Sequence, residues 1–378
     1  MRIAIDARSL EGNKTGVGRY LENLLKVWKQ RQECQFILYF KDEIPDKGIL
    51  RSENFILKKI GNPLGFSSNF FFQHILLPCS LRQDKADFFF SPFYLRPFFC
   101  PVKSAIVLHD ISYEAHPEWF DGRSQFILRT LSRLSARRAD CIFTVSGYSK
   151  EEIIRHYGVS EGNIEVTPLA ADADFGRKAD DSRVVETKEK YGLGKFILAV
   201  GTIFNRRHIP EVIRSFEKFS HEDGGHQLLI VGKNKTFPVE DVDAMIKDAN
   251  DRLGRTGIVR TDSVGEEELI ALYSGCEAVI YLSDYEGFGL PVVEGQSFGK
   301  PVITSRNTSL IEVGGDSVEF VKDNTDIEEI SSALRKILTD TDYARDLVRK
   351  GDENIRRFDW GRCADATLSC IKKCLNAK

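Results

Sequence analysis

The segment DYEGFGLPVVEGQSFGKPV, Asp284 to Val302, follows an apolar run, AVIYLS at 278–283, and its reading decides the fold. Gly287 and Gly289 allow backbone angles that other residues avoid and let a ligand come close to the main chain. Pro291 suits the first turn of a helix, because its missing N–H would have had no intrahelical partner. Gly299, Lys300 and Pro301 read as the end of that helix, with glycine just past the last turn. The segment is therefore a strand end, a glycine turn and a short helix. It carries two glutamates, Glu286 at the strand end and Glu294 in the expected first turn.

The same unit recurs along the chain. Short apolar runs such as RIAID (2–6), FILYF (36–40), AIVLH (105–109), CIFTVS (141–146), FILAVG (196–201) and LLIVG (228–232) alternate with longer amphipathic stretches. Amphipathic patterns at 17–31, 124–138, 209–220, 266–275 and 326–338 predict helices. Strands alternating with helices imply an α/β protein with parallel sheets covered on both faces. The order breaks at LAADADFGRKADDSRVVETKEKYGLG, which is polar and precedes a fresh strand ending in Gly201. The expected organisation is a Rossmann-like domain at 1–170, a linker at 171–194 and a second Rossmann-like domain at 195–357. An amphipathic C-terminal helix at 358–378 is expected to cross back onto the first domain. In open α/β sheets ligands bind beyond the carboxyl ends of the strands.

With 378 residues, 42% hydrophobic and 29% charged, the chain has the balance of a globular protein with room for two cores. The net charge of −3 argues against generic nucleic-acid binding. Basic residues slightly outnumber acidic ones through Lys178, and the remainder is acidic. The opening MRIAIDARSL lacks the apolar core of a secretion signal, and no apolar run approaches the ~18 residues of a spanning helix. The eight cysteines include no C-x-x-C pair; Cys370 and Cys374 form a C-x3-C on an expected helix. No further ligands at zinc-site spacing stand out, so reduced thiols and a cytoplasmic protein are expected.

Glu294 could serve simply to complement a helix dipole. Glu286 sits where ligands bind, and the N–H groups of Phe288, Gly289 and Leu290 precede a helix, a ready anion site. Carboxylates beside an anion site suggest a ligand with both phosphate and hydroxyls, as a nucleotide sugar has. The basic pair Arg206-Arg207 lies just beyond the strand that ends at Gly201, a better place for a phosphate grip than for a solvated loop. His109 ends the strand AIVLH and precedes Asp110; a hydrogen-bonded histidine at a strand end is its plainer reading. TGVGRY (15–20) is not a dinucleotide fingerprint, because its glycines come late and the third is missing.

SDYEGFGLPVVEGQSFGKPVI resembles the E-x7-E segment of the retaining family 4 glycosyltransferases, which have the GT-B fold of two Rossmann-like domains facing across a deep interdomain cleft. DARSLEGNKTGVGRYLENLL, VLHDISYEAHPEWF, ADCIFTVSGYSKEEIIRHYGV, FILAVGTIFNRRHIPEVIRSF and EEELIALYSGCEAVIYLS resemble the same family in the same order. The resemblance implies that Glu286 holds a donor-sugar hydroxyl near C3 and C4, and Glu294 the ribose. It implies that the amides after Gly287 face the sugar and diphosphate, and that Arg206 and Arg207 grip the diphosphate. Gly16 and Gly18 would open the first helix towards the donor phosphate and acceptor. His109 would hold a sugar hydroxyl and stabilise the transition state without abstracting the key proton. The chain departs from the family's usual Arg-Lys and Asn with Arg-Arg-His; arginine keeps the charge and adds a bidentate fork. Asp262 stands where the family often has glycine.

The DAD of Asp172 and Asp174 and the DTD of Asp340 and Asp342 mimic metal-binding DxD motifs but lie in polar loop sequence, so no metal and no cofactor beyond a GDP- or UDP-sugar co-substrate is expected. HDISYEAHPEWF favours GDP-mannose and assembly of a surface polysaccharide or O-antigen. Arg129, Arg133 and Arg137 recur every four residues near the aromatic runs 70–72, 88–90 and 93–101, either an ordinary solvated face or a peripheral membrane contact at the inner face of the cell membrane, where a polyprenyl-linked oligosaccharide acceptor would reside. The rival readings are a UDP-sugar-dependent transferase, a nucleotide-sugar epimerase of similar fold and a non-catalytic nucleotide-sugar scaffold. The oligomeric state is not encoded in any motif.

Overall fold

Two sheets, parallel at every paired strand among the described residues, organise the computed structural model. It describes residues 1–12, 16–61, 68–120, 122–172, 175, 179–223 and 225–377. Met1–Leu169 and Asp359–Lys378 form one unit, and Ala170–Phe358 the other.

The first sheet contains β1 (Arg2–Asp6), β2 (Gln35–Phe40), β3 (Phe55–Lys59), β4 (Phe88–Ser91), β5 (Lys103–Leu108), β6 (Cys141–Thr144) and β7 (Ile164–Val166) in the order β3-β2-β1-β4-β5-β6-β7. Central strands such as β2 and β4 are buried almost throughout, as a parallel sheet covered on both faces requires. Tyr39, Phe72, Leu77, Leu81 and Phe89 pack one cluster against the sheet; Ile106, Leu108, Ile142, Ile153 and Tyr157 pack another. The helix Trp360–Asn376 closes this unit, and the Trp28 indole N–H donates to the Ala364 carbonyl at 3.1 Å.

The second sheet contains β8 (Lys195–Val200), β9 (His226–Val231), β10 (Ile258–Thr261), β11 (Ala278–Tyr281), β12 (Val302–Ser305) and β13 (Glu319–Val321) in the order β10-β9-β8-β11-β12-β13. Strand order reverses between β8 and β11, as it does between β1 and β4 in the first sheet. Such a reversal sends the crossover helices to opposite faces and opens a crevice beyond the strand ends.

Three of the elements that the sequence reading does not contain show why they are hard to read. The polar stretch read as a linker carries a helix, Asp181–Tyr191, ending at Gly192 with φ 64°. Its apolar content is slight, but Val184 lies so near Gly275 that a Cβ there would come within 2.8 Å of Val184 Cγ1. Edge strand β3 has the sequence FILKK, whose lysines hide its period, and the helix Val242–Leu253 is too rich in charge to stand out. The arginine stripe is also not a free basic face. Arg129 and Arg133 converge on the buried Glu114 carboxylate at 3.0 and 2.7 Å, and Arg137 Nε donates to the Tyr157 carbonyl at 3.1 Å.

Glu114 is a buried charge that depends on its guanidinium partners. Replacing both Arg129 and Arg133 by alanine should destabilise the first unit by about 3–5 kcal/mol, and either single replacement by far less. All three tryptophans, Trp28, Trp119 and Trp360, lie in that unit. Tryptophan fluorescence during urea unfolding therefore reads the change directly; equal stabilities for the double variant and the parent would contradict it.

Candidate active site

The second unit gathers its site from the two loops that follow β8 and β11, the strands on either side of the order reversal. After β8, Gly201 takes φ 130°, and the next strand presses close: a Cβ on Gly232 would lie 2.0 Å from the Gly201 carbonyl oxygen. Only glycine fits at 232. The chain then forms a short turn, Asn205–Arg207, and His208 at φ 52° turns it into the helix Ile209–Glu222, with Pro210 in its first turn. Left-handed backbone is tolerated by histidine better than by most residues, but it still signals a position held by its surroundings.

Those surroundings are ionic. His208 Nε2 lies 2.7 Å from Asp284 Oδ1, and Nδ1 lies 3.6 Å from Glu211. Asn324 donates to the same Asp284 oxygen at 2.9 Å, and the Asp284 N–H donates to the Arg206 carbonyl at 2.9 Å. The loops after β8 and β11 are thereby tied together. Burial alone would lower the His208 pKa, but the two carboxylates outweigh it and raise it to about 9. His208 is a cation at neutral pH, adjoining Arg206 and Arg207.

Arg207 is the centre of the arrangement. Its guanidinium lies over the Tyr281 ring, 4.3 Å from the centroid, and 3.2 Å from a Glu286 carboxylate oxygen, with both side chains largely buried. Arg206 lies over Phe204 at 4.6 Å. Thus the basic pair and Glu286, 79 residues apart in sequence, share one place. The glycine turn beside them is firmly held. Ser309 Oγ is within hydrogen-bond distance of the carbonyls of Glu286 (2.9 Å) and Phe288 (3.1 Å). Gly289 adopts φ 105°, and a Cβ on it would meet Leu310 at 2.6 Å. Phe288 is buried, and Gly287, Gly289 and Leu290 lead directly into the helix Leu290–Ser297.

Glu294 differs from its expected place. The helix starts at Leu290, so Glu294 falls in the second turn, and the first turn holds no acidic residue. A dipole-complementing role in the first turn is therefore excluded. The carboxylate is buried and accepts a hydrogen bond from the Tyr273 hydroxyl at 2.8 Å, and the Tyr273 ring stacks on Phe298. Tyr273, Tyr281, Asp284, Ser309 and Asn324 all shape the site; the first three lie within quoted segments without standing out there, and no quoted motif reaches Ser309 or Asn324. The hydroxyl and amide runs in SRNTSL after β12 were the one available cue.

The first unit holds the remaining expected residues. His109 follows β5, and its Nε2 lies 3.3 Å from the Pro92 carbonyl, which can only accept. That contact assigns the proton to Nε2 and leaves Nδ1 as the acceptor. Burial pushes the His109 pKa down to about 4, so the ring is neutral at pH 7. It meets Tyr20 edge to face at 4.9 Å, which joins it to the helix Gly16–Trp28 that Gly16 and Gly18 open. Asp110 accepts from the Ser112 N–H at 2.9 Å, just before the next short helix. A cavity of about 750 Å³ lies at the β1/β4 reversal, lined by Arg8, Glu11, Lys41, Phe93, Tyr94 and Leu128. Thr15 lies outside the described residues.

The two DxD look-alikes part company. Asp174 of DAD lies outside the described residues, while Asp172 is buried. Asp340 of DTD accepts from the Tyr343 N–H at 3.0 Å as a helix cap, and Asp342 pairs with Arg345 at 3.4 Å.

In the second unit a basic pair thus meets a carboxylate beside a glycine-turned helix N-terminus, at a strand-order reversal. Family models match both units: Glycosyltransferase Family 4 matches residues 14–175, and Glycosyl transferases group 1 matches residues 182–354. The O-antigen chain mannosyltransferase B of Escherichia coli is 27% identical over 395 residues, covering 98% of this chain and 100% of that one. The serotype-specific mannosyltransferase WbdA of Escherichia coli is 26% identical over 282 residues, 73% of this chain but 34% of that much longer protein. Sucrose-phosphate synthase from Thermosynechococcus elongatus matches the fold with a TM-score of 0.77 at 17% identity, covering 100% of both chains. The chain has the GT-B fold and belongs to the group 1, family 4 glycosyltransferases, as a mannosyltransferase-like member.

The His208 network carries a pH signature. A histidine whose folded pKa is raised from 6.5 to about 9 contributes stability fully below about pH 6.5 and loses it as pH rises through 9. His208→Asn should remove that decline from the unfolding of the second unit, followed by far-UV circular dichroism. A slope that persists in the variant would rule out His208 as its source.

Proposed function

We propose that the chain is a retaining hexosyltransferase that moves mannose from GDP-mannose onto a glycan or polyprenyl-linked oligosaccharide during surface-polysaccharide or O-antigen assembly. The meeting of Arg207 with Glu286 beside the helix Leu290–Ser297 carries the reading. The mannosyltransferase descriptions of the Escherichia coli relatives support the sugar and the setting.

In this reading Arg206, Arg207 and the amides of Phe288, Gly289 and Leu290 take the diphosphate, Glu286 takes a sugar hydroxyl and Glu294 the ribose. The bond from the anomeric carbon to the phosphate oxygen breaks while a bond to the acceptor oxygen forms on the same face. The leaving phosphate oxygen receives the acceptor's proton. Positive charge fixed in place before the reaction stabilises the anion that develops, an electrostatic contribution needing no reorganisation. No metal is required by this scheme, because the arginines and the helix N-terminus perform the neutralisation. Neutral His109, with Nδ1 as acceptor, suits holding a sugar hydroxyl better than removing a proton. Gly16 and Gly18 keep the start of their helix open to the donor phosphate and the acceptor.

The acceptor is proposed to be membrane-bound and the enzyme peripheral at the cytoplasmic face. No described helix is long and apolar enough to cross a membrane. Phe70, Phe99, Phe126 and Ile127 of the first unit are exposed, which supports surface contact through apolar side chains. The arginine stripe contributes less, since Glu114 neutralises part of it.

A thermal-shift series against GDP-, UDP- and dTDP-sugars tests the donor, with GDP-mannose expected to stabilise by mass action. Arg207→Ala should lower kcat for mannosyl transfer by ~10²–10³, the loss typical of one donor to a developing anion. Transfer at the parent rate in that variant would refute the phosphate role, and turnover of donor to an epimer without acceptor would refute the transferase.

A further inference from the structure

Cys141 opens β6, and Cys370 and Cys374 stand one turn apart on the closing helix Trp360–Asn376. All three sulfurs lie within 4.8 Å of one another, and those of Cys141 and Cys370, 229 residues apart, are separated by 2.8 Å. We propose that these three thiols bind one soft divalent cation of the zinc or cadmium kind, which fastens the closing helix to the first sheet.

The donor set decides the class of ion. Three sulfurs select thiophilic cations over magnesium or calcium, which prefer oxygen. With metal–sulfur bonds of about 2.3 Å, tetrahedral angles place the sulfurs about 3.8 Å apart. The cluster lies close to this. Cys141 and Cys370 must separate by about 1 Å, a movement within the reach of side-chain rotation. A disulfide between Cys141 and Cys370 would leave unexplained the third thiol, which lies on the same helix face within reach of both partners.

The frame around the cluster is fixed. The Asp140 carboxylate accepts from the Ser104 N–H at 2.8 Å, which anchors the strand start. Lys103 Nζ donates to the Cys374 carbonyl at 2.8 Å and also to that of Ala377, which holds the helix end. Cys141 is buried, whereas Cys370 and Cys374 are partly exposed, so the ion enters from the helix side and water completes its shell there. Binding releases the thiol protons to solvent, up to one for each sulfur. No redox change takes place. The site is structural: it lies between β6 and the closing helix and includes none of the residues assigned to sugar or phosphate.

The test uses the full chain, reduced and metal-free, titrated with Cd²⁺ and followed by the ultraviolet thiolate-to-cadmium charge-transfer band. One equivalent should saturate the band, and Zn²⁺ should displace it and raise the temperature at which tryptophan fluorescence reports unfolding of the first unit. Cys374→Ser, on the part-exposed helix face, should weaken Cd²⁺ by more than about 100-fold, beyond the 10–100-fold loss of a supporting contact. Cys79→Ser, at an exposed cysteine outside the cluster, should leave the affinity unchanged. Undiminished affinity in Cys374→Ser, the absence of a one-to-one band, or a Cys141–Cys370 disulfide found by mass spectrometry in protein purified without oxidant would each overturn the proposal. Cys141→Ser adds to the series if it folds, but Cys374→Ser decides it.

Discussion

A guanidinium held between an aromatic face and a carboxylate, where a parallel sheet reverses its strand order, is the constraint on which the second unit's chemistry depends. Arg207 can occupy that place only because Gly201 and Gly232 bring two strand ends together without side chains between them. Tyr281 supplies the ring beneath and Glu286 the balancing charge. The charge is therefore in position before any ligand arrives. The cost is a buried arginine and a left-handed histidine, both compensated by the carboxylates of Glu286, Asp284 and Glu211.

The first unit repeats the logic with different groups. At its own reversal, between β1 and β4, the fully buried Asp6 receives Arg8 at 2.6 Å, and the Arg8 guanidinium lies 4.7 Å from the centre of the Phe72 ring. Again a basic group is locked by a carboxylate and an aromatic ring beyond a central strand. The cavity at this place mixes acids, bases and aromatic faces. Both sheets thus place their polar machinery where topology leaves a crevice, and elsewhere bury their strands in apolar side chains.

Much of this was legible in the sequence, for identifiable reasons. Fully buried parallel strands such as FILYF and FILAVG announce themselves as unbroken apolar runs, and the glycine turn before Leu290 marks the end of β11. What escaped notice were elements whose stability comes from neighbours. The helix Asp181–Tyr191 offers little apolar surface, and β3 ends in lysines because it lies at a sheet edge. At the site, the residue types of Arg207 and Glu286 were readable, but their contact was a fact of topology. A helix start at Pro291 puts Glu294 in the first turn; the observed start at Leu290 moves it into the second. The three clustered thiols looked scattered for the same reason that the Glu114 pairing was invisible: partners distant in sequence meet only after the sheet forms.

The helix Trp360–Asn376 completes a unit whose sheet is otherwise encoded before Leu169. During synthesis that sheet emerges from the ribosome long before its cover, and Trp28, Cys141 and Thr167 must wait for Ala364, Cys370 and Cys363, made 336, 229 and 196 residues later. The second unit, whose residues are contiguous, has no such delay. An order of maturation follows: the contiguous unit can settle before the interrupted one, which keeps an apolar face uncovered until its closing helix has been made.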